Sequence, residues 1–212
     1  GLVDAAFVFD PKQNFGWLFG GQAWHDLSGT LWRYSANQTE PVWGAVSAGP
    51  GPKPRARAAF ARDGVSKRTF LWGGQGYYET YGDLWRLDDD VGGAPKWTLL
   101  KPSGSGPPPA HAAVGWWEPK AKRFIVGLGE TYYDLVDGFW AYDPAANAWA
   151  KVVAAVPSIQ PRRGAMLAWD QVSQAAWLAG GATWYDLLND LHRLTWKGGK
   201  LTSEKVSVAF GA

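Results

Sequence analysis

Four segments of this chain align on a glycine without a gap: Gly21-Gln22-Ala23-Trp24-His25-Asp26, Gly74-Gln75-Gly76-Tyr77-Tyr78-Glu79, Gly129-Glu130-Thr131-Tyr132-Tyr133-Asp134 and Gly181-Ala182-Thr183-Trp184-Tyr185-Asp186. Each runs glycine, two variable residues, an aromatic, His or Tyr, then a carboxylate. The glycines stand 53, 55 and 52 residues apart. A period of about 50 residues belongs to repeat architectures, whose units bury their apolar faces only against one another. The 212 residues therefore read as one array of four units, approximately 1–50, 51–105, 106–157 and 158–212.

The second unit shows the plan of each repeat. Ala58-Ala59-Phe60-Ala61 reads as a short strand and Arg62-Asp63-Gly64 as a turn. Arg68-Thr69-Phe70-Leu71-Trp72 is a second apolar strand, closed by Gly73-Gly74. After the aromatic loop, Asp83-Leu84-Trp85-Arg86-Leu87 alternates apolar and polar, as a half-buried strand does. Asp88 to Pro95 reads as a turn-rich connection, and Trp97-Thr98-Leu99-Leu100 as the fourth strand. No helical periodicity appears. Four short antiparallel strands per period, repeated radially, make an all-β β-propeller.

The other units keep this plan. The third strand recurs as Leu31-Trp32-Arg33-Tyr34, Phe139-Trp140-Ala141-Tyr142 and Leu191-His192-Arg193-Leu194. The fourth carries Trp43, Trp97 and Trp149, with Leu201 in the last unit. Asp4, Arg57, His111 and Arg163 precede the first strands, and proline-rich connectors separate the units.

A glycine pair after the second strand, Asp-Leu-Trp-Arg on the third and Trp on the fourth together resemble the kelch-repeat family. The resemblance covers essentially the whole chain. Leu128-Gly129 in place of a glycine pair, His192 in place of Trp, and Asp4 in place of a basic residue depart from the pattern. The resemblance implies a propeller whose strand 2–3 loops and inter-blade connections open on one face. That would bring Trp24, Tyr77, Tyr132 and Trp184 near Arg55, Arg57, His111, Arg162 and Arg163.

Several functions are disfavoured. The formal net charge of +2, with Arg and Lys interspersed among Asp and Glu, offers no basic stripe for nucleic acid. No run of about 18 apolar residues marks a membrane span. No targeting segment is visible ahead of Gly1, and the compartment stays open between cytoplasm and secretion. Asn37-Gln38-Thr39 is a glycosylation sequon, a triplet that arises readily by chance. The absence of cysteine excludes a disulfide framework, a thiolate metal site and the tyrosine–cysteine crosslink of copper oxidases resembling galactose oxidase. No Gly-x-Ser-x-Gly elbow supports a serine hydrolase. His25, His111 and His192 fall at different places in the repeat, which disfavours a histidine metal cluster. The iron-binding acid series of the nitrile-specifier kelch proteins fails here, since Leu87 and Gly138 occupy its third place. No cofactor is expected, and the reading leans away from an enzyme.

The glycine pairs lead into a strand rather than a helix, so they read as structural rather than as a phosphate cradle. The carboxylates Asp26, Glu79, Asp134 and Asp186 recur in every unit, and the reading prefers acceptance of backbone N–H bonds over a ring of Ca²⁺ or Mg²⁺ ligands. The aromatic pairs Trp24-His25, Tyr77-Tyr78, Tyr132-Tyr133 and Trp184-Tyr185, with Arg57 and Arg163, are the candidate ligand-binding residues. The expected function is a non-catalytic binding propeller that recognises a protein or peptide. The alternative is a carbohydrate-binding or sugar-isomerising, mutarotase-like propeller. Trp32, Trp85 and Trp140 recur at one position and are expected to be buried between blades. The four whole units leave no strand to share between the chain's ends. The array is therefore expected to be completed by further blades or by a second copy in a homodimer.

Overall fold

The structure is a computed structural model, and it describes residues 1–36, 40–91, 93–152, 154–155 and 159–207. The sequon at 37–39, the boundary at 157 and the last five residues lie outside them. No helix occurs among the described residues, and none is long and apolar enough to cross a membrane. The chain is all-β, a β-propeller fold of antiparallel blades.

The strands in chain order are β1 (Ala6–Asp10), β2 (Phe15–Phe19), β3 (Gln22–Ala23), β4 (Asp26–Leu27), β5 (Leu31–Ser35), β6 (Val42–Val46), β7 (Ala59–Asp63), β8 (Arg68–Trp72), β9 (Leu84–Val91) and β10 (Ala94–Leu100). They continue as β11 (Val114–Glu118), β12 (Arg123–Gly127), β13 (Phe139–Asp143), β14 (Ala148–Lys151), β15 (Ala154–Ala155), β16 (Met166–Asp170), β17 (Ala175–Ala179), β18 (Leu191–Lys197) and β19 (Lys200–Val206). Four antiparallel meanders result: β1-β2-β5-β6, β7-β8-β9-β10, β11-β12-β13-β14 and β16-β17-β18-β19. The last gains β15, which pairs parallel to β19. The short hairpin β3-β4 stands apart.

The chain forms two compact units of two sheets each, residues 1–101 with 109–111, and residues 102–108 with 112–212. In the first unit, Phe19 and Leu31 of the first sheet pack against Phe60, Leu71, Leu87 and Trp97 of the second. The Trp97 ring lies 5.3 Å from that of Phe19, close to edge-on. In the second unit, Val114, Trp116, Ile125 and Phe139 of the third sheet meet Ala176, Leu178, Leu194 and Leu201 of the fourth. The expectation for Leu201 is corrected: the register position of Trp43, Trp97 and Trp149 falls to Ser203, opposite Leu194, and Leu201 enters the core two residues earlier on the same face, opposite Trp196.

The glycine pair is a geometric necessity in the first unit. Gly73 has φ of 69°, and a Cβ there would sit 2.4 Å from the Ala110 carbonyl oxygen. Only glycine lets the next connector approach so closely. Leu128 holds the same left-handed conformation at φ 57° and is buried in the core of its unit. Burial of the leucine offsets a conformational cost of about 1–2 kcal/mol.

Two expectations are corrected. The segment from Asp88 to Pro95 is not a long connection, because β9 and β10 carry the ladder on as far as the pair of Val91 with Ala94. Pro95 sits where the register shifts between Ala94 and Lys96, an irregularity that accommodates a residue without an N–H. The third-strand tryptophans are not uniformly buried: Trp140 is, whereas Trp32 and Trp85 are half-buried. Trp85→Ala is therefore expected to cost about 1–2 kcal/mol in denaturant titration, below the ~3–5 kcal/mol of emptying a fully buried aromatic site. A loss above about 3 kcal/mol would show a more complete burial.

Candidate functional site at the hairpin tips

All four aromatic loops have one construction. The residue after the glycine pairs with the residue five places on: Gln22 with Leu27, Gln75 with Thr80, Glu130 with Leu135 and Ala182 with Leu187. Inside that bridge the chain turns back on itself. Gly76 N–H donates to the Glu79 carbonyl at 2.8 Å, Thr131 N–H to that of Asp134 at 2.8 Å, and Thr183 N–H to that of Asp186 at 2.9 Å. The two aromatic places are the central residues of a β-turn, which point away from the strands that carry them.

Their exposure follows. All eight aromatic-place residues, Trp24, His25, Tyr77, Tyr78, Tyr132, Tyr133, Trp184 and Tyr185, are exposed, Tyr78 completely. Trp24 has φ of 55°, a left-handed conformation that a bulky side chain adopts at a cost of roughly 1–3 kcal/mol. In the other three tips the first of the pair is also drawn into contacts. The Tyr77 hydroxyl accepts from Leu27 N–H at 2.8 Å and donates to Asp26 Oδ1 at 3.4 Å, tying the second tip to the first. Trp184 lies beneath the Arg163 guanidinium, 5.3 Å from ring centre to Cζ. Tyr132 and Tyr133 stack edge to face at 4.9 Å.

The recurring acidic residues hold the turns through their main chain, and not through carboxylates that accept backbone N–H bonds as the sequence suggests. It is the backbone carbonyl of Glu79, Asp134 or Asp186 that closes the turn, as described above. In the last two tips the threonine hydroxyl adds to it: Thr131 Oγ1 accepts from Tyr133 and Asp134 N–H, and Thr183 Oγ1 from Tyr185 and Asp186 N–H. The Asp134 and Asp186 side chains themselves are exposed.

Cations and acids are paired around the tips. Arg57 Nε donates to Asp4 Oδ2 at 2.8 Å, and Arg163 Nη1 to Glu130 Oε2 at 2.6 Å. Glu79 accepts from the Tyr81 hydroxyl at 2.8 Å and from Lys53 at 3.3 Å. The Tyr81 bond, with Lys53 assisting, holds the Glu79 carboxyl below its usual range. Burial first, and then the bond to Glu79, pushes the Tyr81 phenol up to about 12. Tyr81 is a hydrogen-bond donor throughout the physiological range.

Arg57 and Arg163 are not equivalent residues, contrary to the sequence alignment. Val3, Ala56 and Arg163 bridge to Gln22, Gln75 and Ala182. Asp4, Arg57, Ala112 and Gly164 follow that position with a shared left-handed φ, from 51° to 62°. The true counterparts are Arg55 and Arg162, whose side chains are both nearly inaccessible. Arg55 Nη1 donates to the Gly73 carbonyl at 2.9 Å and to Asp83 Oδ1 at 2.5 Å, and Nη2 to Asp83 Oδ2 at 2.9 Å. Arg162 does the same with the Gly180 carbonyl and Asp190. Trp85 Nε1 donates to Asp83 at 2.6 Å, and His192 Nε2 stands 2.9 Å from Asp190. His192 therefore replaces tryptophan with its contact kept. Thr30 occupies the acid's place in the first unit, and there Trp32 Nε1 is buried without an acceptor. These arginines brace the glycine pairs beneath the loops and do not reach the tips.

Among the described residues no three His, Cys, Asp or Glu side chains converge as a metal site. A concave cleft of about 160 Å³ lies elsewhere in the first unit, bordered by Phe19, Leu31, Val46 and Trp97. No protein-family model matches the chain, and no curated protein sequence matches it.

Proposed function

We propose that this protein is a binding propeller of the kelch type, with blades bounded near residues 51, 106 and 157, whose hairpin-tip aromatics recognise a protein or peptide segment. One observation carries the reading. Tyr78, Tyr132, Tyr133 and Tyr185, with Trp24 held in a costly backbone conformation, stand in solvent at four tips built alike. Leaving large rings uncovered forgoes the burial that their apolar area would otherwise provide. Tyr and Trp lose little conformational entropy on contact and dominate protein interfaces. A ring wholly in solvent lines no enclosing cavity, which favours an extended partner over a small substrate. Fold alone decides no function.

A second reading, carbohydrate binding, is favoured by tyrosine rings beside the acids Asp26 and Glu79. Panning a random peptide library and probing a glycan array with the folded protein separates the two. Enrichment of a peptide consensus, with no glycan bound, is expected. Saturable binding of defined glycans, with no peptide enriched, would replace the first reading by the second.

A further inference from the structure

We infer that the outer face of the first sheet is a self-association surface, covered by the outer face of the fourth sheet from a second copy of this chain. Both units pack their sheets by one rule. The face carrying the fourth-strand anchor of the later sheet lies on the opposite face of the earlier one. In the first unit that anchor face is Phe60, Leu71, Leu87 and Trp97, and Trp97 is 5% exposed. In the second unit it is Leu178, Leu194 and Leu201 with Leu167 and Trp169 beside them, and Leu201 is 3% exposed.

The equivalent face of the first sheet is Phe7, Phe9, Tyr34 and Trp43. It carries large aromatic rings and lies open: Phe7 is 48% exposed and Trp43 46%. The rings already form one contiguous patch, with Phe7 5.9 Å from Trp43, Trp43 5.0 Å from Tyr34 and Tyr34 6.2 Å from Phe9. An open cluster of this kind marks an interaction surface. The rule also predicts the shape of its partner, which is the face opposite the anchor. In the first and third sheets that opposite face is buried, by Trp17 and Phe19 and by Val114 and Trp116. In the fourth sheet the same register positions are Met166, 73% exposed, Ala168, exposed, and Trp177, half-buried.

One chain thus displays an uncovered anchor face and an uncovered receiving face, the two halves of a contact it already makes twice. A surface complementary to another surface on the same molecule supports head-to-tail assembly. A flexible methionine opposite aromatic rings suits such a contact.

Light scattering after size exclusion, combined with charge substitutions, tests this. The wild-type protein at micromolar concentration is expected at twice the 23.1 kDa chain mass or a higher multiple. Trp43→Glu and Met166→Glu should each run as a 23.1 kDa species with an unchanged circular-dichroism spectrum. Mixing the two variants should restore a pair, because one supplies an intact receiving face and the other an intact anchor face. A wild-type monomer would overturn the inference, as would association that survives both substitutions or a mixture that stays monomeric. Met166→Glu alters an exposed side chain, so its folding is not at issue.

Discussion

Trp97→Ala is expected to destabilise the first unit by about 3–5 kcal/mol, the usual loss when a large aromatic is removed from a packed site. The ring is 5% exposed, sits edge-on to Phe19, and touches Gly51, where a Cβ would lie 2.6 Å from its Cδ1 atom. Neither neighbour can move in to fill the space: Phe19 is fixed in the first sheet and the connector is fixed at Gly51. Urea titration followed by circular dichroism checks the value. A loss under about 1 kcal/mol would mean that the two sheets are not held by this anchor.

Arg162→Met is the second large effect, expected to cost about 3–5 kcal/mol because it leaves a largely buried acid without its cation. The guanidinium serves Asp190, the Gly180 carbonyl and the Gln160 carbonyl, and methionine replaces none of these. The variant should also change the acid limb of stability. Hydrogen bonds from Arg162, acting against burial and aided by His192, hold the Asp190 carboxyl well below its ordinary value of 3.8. A depressed folded-state pKa means that the unfolded chain binds the extra proton first. The pair's contribution is therefore complete above the ordinary carboxylate range and is lost as pH falls through the lower folded value. Below about pH 4 the wild type should lose stability more steeply than Arg162→Met, so the two curves converge in acid. Parallel curves down to pH 2 would contradict the pairing.

Much of the fold is legible in the sequence because the repeat is carried by residues with one structural meaning. The glycines mark the end of the second strand, and the apolar alternation of Leu84 to Leu87 marks the third. The connection from Asp88 to Pro95 is not legible in the same way. Glycine and proline punctuate it, but cross-strand pairing of Asp88 with Arg68 and Lys96 extends both strands through it. Pairing between distant segments overrides local turn chemistry there.

The site divides similarly. That the aromatics recur is plain in the sequence; that they are exposed follows only from their place at the centre of a turn closed by Gln75 with Thr80 and its equivalents. The Arg55–Asp83 and Arg162–Asp190 pairs are hidden when basic residues are matched, because that aligns Arg57 with Arg163, one place out of register. The signal existed. Arginine and aspartate, 28 residues apart, occur together in the second and fourth units and are both missing from the first and third, where Leu2 and Thr30, and Ala110 and Gly138, stand instead.

Calorimetric titration of a library-selected peptide into the wild-type protein and the double variant Tyr78→Ala/Tyr185→Ala tests the binding function most directly. Each exposed ring that anchors a partner is worth about 2 kcal/mol, roughly thirtyfold in affinity. The double variant should lose at least that factor, while its thermal midpoint stays within about 2 °C of the wild type, because neither ring contributes to a core. Unchanged affinity in a folded double variant, or loss of the fold in place of loss of binding, would contradict the assignment of the hairpin tips as the binding surface.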